Sequence, residues 1–219
     1  CLNQLCRRAA HEIALDNELL SIFLDVHAST LPRLINVHGG AHSPGERRCQ
    51  LLAAVSSVVV EAPAVVERYF TPLLDALHHA HATLAGHLQN SASESNAAAH
   101  ELAARIDEIT AALAPLKPLP ISSLVSLLTL LWPTWCSLLA PSAVDAALHP
   151  ALARLGCEAV RAAESHFAPM LSPTVAALTA AFAARPSACL LSVADSLVDA
   201  FAIGASPEVE TSFASLLDQ

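Results

Sequence analysis

A short proline-centred pattern occurs three times in this chain, as Phe70-Thr71-Pro72-Leu73-Leu74, Leu131-Trp132-Pro133-Thr134-Trp135 and Leu171-Ser172-Pro173-Thr174-Val175. Each copy has an apolar residue two positions before the proline and another two positions after it. Each copy also has a leucine five positions after the proline, at Leu77, Leu138 and Leu178. Apolar residues at these spacings predict three equivalent helices, each with a proline inside it.

The spacing of the three prolines indicates a repeated pair of helices. They lie 61 and 40 residues apart, and each proline helix is followed by a second, alanine-rich helix, at 97–114, 143–165 and 188–202. A helix pair that repeats every ~40–47 residues is typical of HEAT and armadillo proteins, whose stacked pairs share one continuous core. The polar stretch 89–96 accounts for the longer first spacing as a flexible insertion. The alternative is coincidence in a leucine-rich chain with 14 prolines.

The composition supports a helical protein. Of 219 residues, 44 are Ala and 36 are Leu, both strong helix formers, and only 6 are Gly. An all-β fold or a doubly wound parallel sheet would need more β-branched and aromatic residues. We therefore predict an all-α protein, a single HEAT/armadillo-like right-handed α-solenoid of antiparallel helix pairs over residues 1–219, cut from a longer helical-repeat protein.

Helix-breaking and helix-capping residues set the boundaries of the predicted helices. The turn Ala62-Pro63-Ala64 leaves almost no loop, so the helices on either side of it should form a hairpin. The predicted helices span residues 2–14, 17–28, 45–61, 64–88, 97–114, 121–140, 143–165, 170–184, 188–202 and 207–217.

The charge distribution disfavours nucleic-acid binding and suggests a basic partner. The chain has 11 Lys and Arg residues and 20 Asp and Glu residues, for a net charge of −9, and no lysine or arginine follows Arg185. A nucleic-acid interface needs clustered Lys and Arg to neutralise phosphates. The acids of the last helices are the candidate partner-binding residues, although surplus acid also serves plain solubility. These candidates are Asp195, Asp199, Glu208 and Glu210.

Neither a disulfide framework nor a membrane span is predicted. The six cysteines lie far apart without a C-x-x-C pair, as expected for buried thiols in a reducing compartment. No charged residue occurs between Lys117 and Asp145, which is long enough to cross a bilayer. Serines, threonines and Pro133 interrupt this stretch, and no flanking positive cluster sets an orientation, so a buried helix is the favoured interpretation over membrane insertion.

No catalytic, cofactor-binding or metal-binding constellation is predicted, and the chain is not expected to be an enzyme. His78, His79, His81 and His87 form the densest histidine cluster, but the ligand set is incomplete and a surface group is the favoured interpretation. The loop His38-Gly39-Gly40-Ala41-His42 lacks the Lys-Ser/Thr of a phosphate loop. Asp107 and Glu108 are adjacent and should point in different directions. Trp132 and Trp135 are more typical of a core than of a binding site.

Three segments resemble consecutive repeats of the β-karyopherins, in particular the transportin-SR and importin-thirteen branch. The first runs from Leu127 to Trp135 as L-L-T-L-L-W-P-T-W, and the second from Leu155 to Arg161 as L-G-C-E-A-V-R. The third runs from Pro186 to Asp199 as P-S-A-C-L-L-S-V-A-D-S-L-V-D, similar to the family's S-C-L…L-V-D-E helix. Ala200 stands where the family usually has another acid.

The resemblance implies a role in nuclear transport. A β-karyopherin is a flexible superhelix, several times longer than this chain, that shuttles between cytoplasm and nucleus and exchanges protein cargo under control of the Ran GTPase. It implies as partners a basic, Arg/Ser-rich protein cargo, and Ran and nucleoporins through the full-length protein. A static HEAT-repeat scaffold or adaptor subunit is the alternative function.

Overall fold

Helices form throughout the part of the chain that the structure, a computed structural model, describes: residues 2–30, 44–87, 92–140 and 148–201. No strand occurs in those ranges, so the predicted all-α class is confirmed. The predicted helix 207–217 and the loop 38–42 lie outside the described residues. The helices are α1 (Leu2–Leu15), α2 (Asn17–Thr30), α3 (Pro44–Val59), α4 (Val66–His87), α5 (Ala92–Leu113), α6 (Ile121–Leu138), α7 (His149–Ala163), α8 (Ala168–Ala184) and α9 (Ala188–Phe201).

The predicted insertion 89–96 is wrong in its extent. Helix α5 already begins at Ala92, so residues 92–96 are its first turn, and residues 88–91 lie outside the described part. The polar residues of this segment are compatible with the solvent-exposed start of a helix. The negative charge of Glu94 also complements the positive end of the helix dipole there. Exposed polar residues at the start of a helix thus looked like a loop in the sequence.

The predicted tight turn around residue 63 is present, and one side chain of α4 reaches back to α3, although the two helices do not pack along their length. A single 3-10 turn, Pro63–Val65, separates α3 from α4. The buried Tyr69 of α4 returns to α3, where its hydroxyl donates a hydrogen bond to the Leu52 carbonyl (3.1 Å) and accepts one from the Ser56 hydroxyl (3.1 Å). These two bonds satisfy the only polar atom of a large buried side chain, and so fix how the two helices pack.

The described helices lie in two rows. The odd-numbered helices α1, α3, α5, α7 and α9 contact one another in that order. The even-numbered helices form the second row: α4 contacts α6 and α6 contacts α8, while His27 of α2 packs on Tyr69 of α4. The rows meet where α1 contacts α2, α4 contacts α5, α6 contacts α7, and α8 contacts α9. The helices α1, α3, α7 and α9 therefore pack mainly within the odd row, whereas α2 contacts chiefly α1 and α4 contacts chiefly α5.

The two tryptophans of α6 lie at the centre of the contact between the rows. Trp135 is fully buried and donates its indole N–H to the Leu152 carbonyl of α7 (2.9 Å). Trp132 is 2 % exposed, stacks on Trp135 with ring centres 4.6 Å apart, and donates to the Thr174 hydroxyl of α8 (2.7 Å). The prediction that this pair belongs to the core is confirmed.

The three prolines of the repeated pattern all lie inside even-row helices: Pro72 in α4, Pro133 in α6 and Pro173 in α8. The residue after the second and third proline is a threonine that bonds the preceding even-row helix. Thr134 pairs with His78 Nε2 of α4 (2.8 Å), and Thr174 accepts from Trp132 of α6. In these two copies the threonine after the proline therefore bonds the preceding even-row helix, although the partner stands at a different position in each.

Gly156 of α7 is required by close packing, and its replacement by alanine should be destabilising. A Cβ atom there would lie 3.0 Å from Trp135 Cζ2 and 3.2 Å from both Val193 methyl carbons. We expect Gly156→Ala to lower the free energy of unfolding by about 1–2 kcal/mol, because overpacking outweighs the gain in helix propensity. Gly86→Ala in α4 is the matched control, since nothing lies within 4 Å of the position that its new methyl group would take.

Urea denaturation of both variants measures the difference. The control should be unchanged or up to about 1 kcal/mol more stable, from propensity alone. Equal stabilisation by the two alanines would contradict the close approach of α7 to α6 and α9.

Candidate protein-binding surface

Two of the four predicted partner-binding acids can be placed, and both are exposed on one face of α9. Asp195 and Asp199 are four residues apart, one helical turn, so their carboxylates project from the same side. Neither has an ion-pair partner among the residues that the structure describes. Glu208 and Glu210 lie outside those residues. The predicted acidic set therefore retains two adjacent, unneutralised carboxylates.

A groove of about 460 Å³ lies beside these aspartates, between α5, α7 and α9. Ser192 of α9 belongs to its wall and stands one turn before Asp195, so the groove and the aspartates are neighbours on the same helix face. The groove has both apolar and charged walls. It is lined by Thr110, Pro150, Ala153, Arg154, Cys157, Glu158, Arg161, Cys189 and Ser192.

The charged residues of the groove wall are already in ion pairs. Arg154 of α7 forms a two-pronged ion pair with Asp107 of α5, with Nη2 at 2.7 Å from Oδ1 and 3.0 Å from Oδ2. On the same helix, Arg161 Nη1 lies 3.1 Å from Glu158 Oε2. Because these arginines have carboxylate partners, the net charge that the surface offers to a binding partner comes from the α9 aspartates.

A buried ion pair fixes α5 to α3 behind this surface. Arg48 and Glu108 are 6 % and 3 % exposed, and Arg48 Nε donates to Glu108 Oε1 (2.5 Å). Glu108 Oε2 also accepts from Arg105 Nη1 (2.7 Å). Adjacent Asp107 and Glu108 thus reach opposite neighbours, α7 and α3, which confirms that they diverge. Neither inter-helix arginine partner was predicted from the sequence, since each is far away in the chain.

The described cysteines are free thiols, and two of them, Cys49 and Cys136, have a raised pKa. Cys49, Cys136, Cys157 and Cys189 form no disulfide, as predicted. Burial raises the pKa of Cys49 to about 11, with Glu108 and Asp107 adding to the shift, and burial alone raises the pKa of Cys136 to about 11. The thiolate is the reactive form, so at neutral pH both residues are unreactive. Cys157 is buried and donates to the Ser192 carbonyl (3.3 Å).

The histidine cluster of α4 does not form a metal site in the described part of the chain. Nowhere in that part do three His, Cys, Asp or Glu side chains come together as metal ligands. His78 instead pairs with Thr134, as described above. Burial lowers the pKa of His81, and the proximity of His78 adds to the shift. The structure thus gives two histidines of the cluster a helix-bridging contact, because His87 Nδ1 of α4 also lies 3.4 Å from Glu94 Oε2 of α5.

The even-row side of the molecule has a different chemistry. A cleft of about 520 Å³ between α4 and α6 is lined by apolar and hydroxyl side chains, and Glu67 is its one charged residue among those that the structure describes.

Two stretches, Ile121–Leu138 and His149–Ala184, are long and apolar enough to span a membrane by length and composition alone. Core helices of water-soluble proteins meet the same criterion, and seven residues of α6, including both tryptophans, are buried here. The absence of membrane insertion remains a prediction.

No known protein family, characterised protein or solved structure matches this chain. The resemblance to β-karyopherins therefore remains a prediction, as does the absence of an enzymatic function.

Proposed function

We propose that this chain is part of a right-handed HEAT/armadillo-like α-solenoid that binds a protein partner on its odd-row face. Two observations support the solenoid. The described helices alternate between two rows, so each pair contacts mainly its neighbours, as in a helical-repeat protein. The three proline helices also occupy the same row, and in two of them the threonine after the proline bonds the preceding helix of that row.

The partner that fits this face is a basic protein. The observation on which the proposal rests is the pair of exposed carboxylates of Asp195 and Asp199, without ion-pair partners among the described residues, next to a groove of about 460 Å³. Carboxylates without internal partners are available to Lys or Arg of a ligand, and they increase its rate of association. An Arg/Ser-rich segment matches this chemistry because its guanidinium groups bind carboxylates in a two-pronged geometry.

Within this class of protein we propose a segment of a nuclear transport receptor, which moves between cytoplasm and nucleus. The support is the sequence resemblance of residues 127–135, 155–161 and 186–199 to β-karyopherin repeats. Cargo would bind the odd-row face, and Ran and nucleoporins would act through the full-length protein. Pull-down of cargo by the full-length protein, with and without Ran-GTP, tests this assignment: release by Ran-GTP supports import, and indifference contradicts Ran control.

Reversing the α9 charges should weaken binding of a basic peptide. We expect the double variant Asp195→Lys/Asp199→Lys to bind an Arg-Ser repeat peptide about tenfold more weakly at low salt, with the difference shrinking as salt screens it. Fluorescence anisotropy with the labelled peptide measures the affinity. The control is Glu67→Lys/Asp75→Lys, which makes the same change in net charge on α4, in the other row. Equal weakening by both variants would mean that the peptide responds to net charge alone, and no weakening by either would refute the site.

The alternative function, a static scaffold, is favoured by a separate observation. Ion pairs cross the odd row in two places, from Arg48 to Glu108 and from Asp107 to Arg154, and so connect α3, α5 and α7. Such cross-links oppose the flexing by which a transport receptor adapts to its cargo. Partner binding that is the same with and without Ran-GTP would support the scaffold.

A further inference from the structure

The cleft of about 520 Å³ between α4 and α6 has the size and the composition of a small-molecule site. Ligand pockets have volumes of roughly 300–1,000 Å³ and are mostly apolar, with a few polar groups that fix the orientation of the ligand. Here the buried side chains of Val66, Phe70 and Leu127 belong to the wall, together with hydroxyl groups from both helices. The cleft therefore offers an apolar base below a polar rim.

A small ligand fits this cleft better than a second copy of the chain or another protein does. The centre of a protein–protein interface is formed by several large apolar side chains that the partner can reach. Leu130, which is 51 % exposed, is the one large exposed apolar residue in the described wall. The other exposed members of the wall are small or polar: Ala64, Glu67, Thr71, Ser126 and Thr129. This wall can therefore bury a slim apolar chain, but it lacks the apolar contacts of a protein interface.

The polar groups of the rim are available mainly as hydrogen-bond acceptors. The Thr71 hydroxyl donates to the Glu67 carbonyl (2.8 Å), and the Thr129 hydroxyl donates to the Val125 carbonyl (2.8 Å). Each of these hydroxyls uses its proton within its own helix, so its oxygen lone pairs are what remains for a ligand. The carboxylate of Glu67 accepts hydrogen bonds and donates none. The rim therefore favours a ligand group that donates hydrogen bonds.

Glu67 gives the cleft a negative charge. Its side chain is exposed in the wall and forms no ion pair with any residue that the structure describes. The next residue, Arg68, is outside the wall, and its Nη2 lies 3.6 Å from Asp25 Oδ1 of α2. Because the Glu67 carboxylate is the one charge of the described wall, the complementary ligand group is a cation. An ammonium group meets both conditions, since it is positively charged and donates hydrogen bonds.

We propose that the α4–α6 cleft binds a small molecule that has an apolar chain and a single ammonium group. The apolar chain lies against the buried side chains of the base, and its removal from water drives binding. The ammonium group lies at the rim, where it donates hydrogen bonds to the Glu67 carboxylate and to the threonine oxygens. The opposite charges of ligand and Glu67 select an amine over a neutral or acidic molecule of the same length. The proposal rests on this cleft alone, and not on the transport function or on the surface around α9.

Ligands that differ only in the head group test the role of Glu67. Hexylamine, hexanol and hexanoate share one apolar chain, and NMR titration of the full 219-residue chain gives the Kd of each. We expect hexylamine to have a Kd about fivefold lower than that of hexanol, with hexanoate the weakest ligand. Glu67→Gln should make hexylamine and hexanol equal, because the carboxylate is gone. Asp75→Asn, which removes an exposed carboxylate of α4 outside the wall, is the matched control and should keep the difference. Equal affinities for hexylamine and hexanol in the unaltered chain, or the same change in both variants, would overturn the proposed preference for an amine.

A larger side chain in the wall tests the location of the site. Ser126→Phe should weaken the binding of hexylamine and of hexanol about tenfold, since the phenyl ring occupies the cleft. Ser122→Phe, one turn earlier on α6, is exposed and outside the wall, so this control should bind both ligands like the unaltered chain. No binding of hexylamine, chemical-shift changes confined to other helices, or equal binding by the two phenylalanine variants would refute the site. A dimer in sedimentation equilibrium that Ser126→Phe dissociates would assign the cleft to a second copy and overturn the proposal.

Discussion

Replacing Glu108 with alanine is expected to lower the free energy of unfolding by about 3–5 kcal/mol, the usual cost of breaking a buried ion pair from one side. Glu108 is 3 % exposed and accepts hydrogen bonds from Arg48 and Arg105. The substitution takes from the buried Arg48 guanidinium the carboxylate that lies against it, while the guanidinium remains away from water. The cost is therefore mainly that of a buried charge that has lost one close counter-charge.

The neighbouring carboxylate provides a matched control for this prediction. Asp107→Ala is on the same helix, one residue away, and removes the ion pair with Arg154, whose side chain is 55 % exposed. Water and salt replace such a pair, so its loss should cost at most about 1 kcal/mol. Urea denaturation of the two variants, with the unfolding slope compared, gives the difference. Similar costs for both would mean that Glu108 is hydrated and that the charge pair is not buried.

A double variant separates the value of the ion pair from the cost of a stranded charge. Arg48→Met/Glu108→Leu removes both charges and fills similar volume, so it should recover much of the stability lost in Glu108→Ala. Recovery would indicate that the pair serves to align α3 with α5 more than to stabilise them. A double variant as unstable as the single one would contradict this interpretation and place the loss in packing.

The fold class could be predicted because local signals and the global fold agree. Alanine and leucine favour helices throughout the chain, and Pro72, Pro133 and Pro173 of the repeated pattern all fall inside even-row helices. The burial of the Trp132–Trp135 pair followed from apolar spacing alone. The predicted start of α5 was wrong, because the mostly polar residues 92–96 resemble a loop in composition. Exposed helix turns and loops are rich in the same residue types.

The candidate surface could be predicted only in part, because its parts come together through the rows and not through the chain. Asp195 and Asp199 share a face by their spacing of four, which the sequence shows directly. The pairing of Arg48 with Glu108 spans 60 residues and that of Asp107 with Arg154 spans 47. Those pairs depend on which residues of neighbouring odd-row helices lie opposite each other, and the spacing of residues within one helix does not show that.

Acidification is expected to destabilise the contact between α2 and α4 through His27. This histidine is 8 % exposed, its Nε2 has no hydrogen-bond partner among the described residues, and its ring lies 5.7 Å from that of Tyr69. Burial lowers the pKa of His27 from 6.5 to about 4 in the folded state. Between these two pH values the His27 imidazole is therefore mostly protonated in the unfolded chain and mostly neutral in the folded chain.

The sign and size of the effect follow from proton linkage. The contribution of His27 to the free energy of unfolding is fully present above its unfolded pKa of 6.5. It declines as the pH falls toward the folded pKa of about 4. Between about pH 7.5 and pH 5 the loss should be about 2 kcal/mol, at 1.36 kcal/mol per pKa unit. His27→Leu should remove this part of the pH dependence, because leucine carries no proton. The exposed His79→Leu in α4 is the control and should retain it.

Hydrogen exchange shows whether the loss is local or global. His27 and the exposed ion pair of Asp25 with Arg68 (3.6 Å) join α2, at one end of the even row, to α4, and among the described helices α2 otherwise contacts chiefly α1. A penalty concentrated at this one contact should release α2 before the rows separate, so amides of α2 should exchange faster at pH 5 after correction for the intrinsic rate. His27→Leu should abolish that increase while α6 and α7 stay unchanged. Uniform acceleration in all helices, or the same acceleration in His27→Leu, would show that acid acts through other groups.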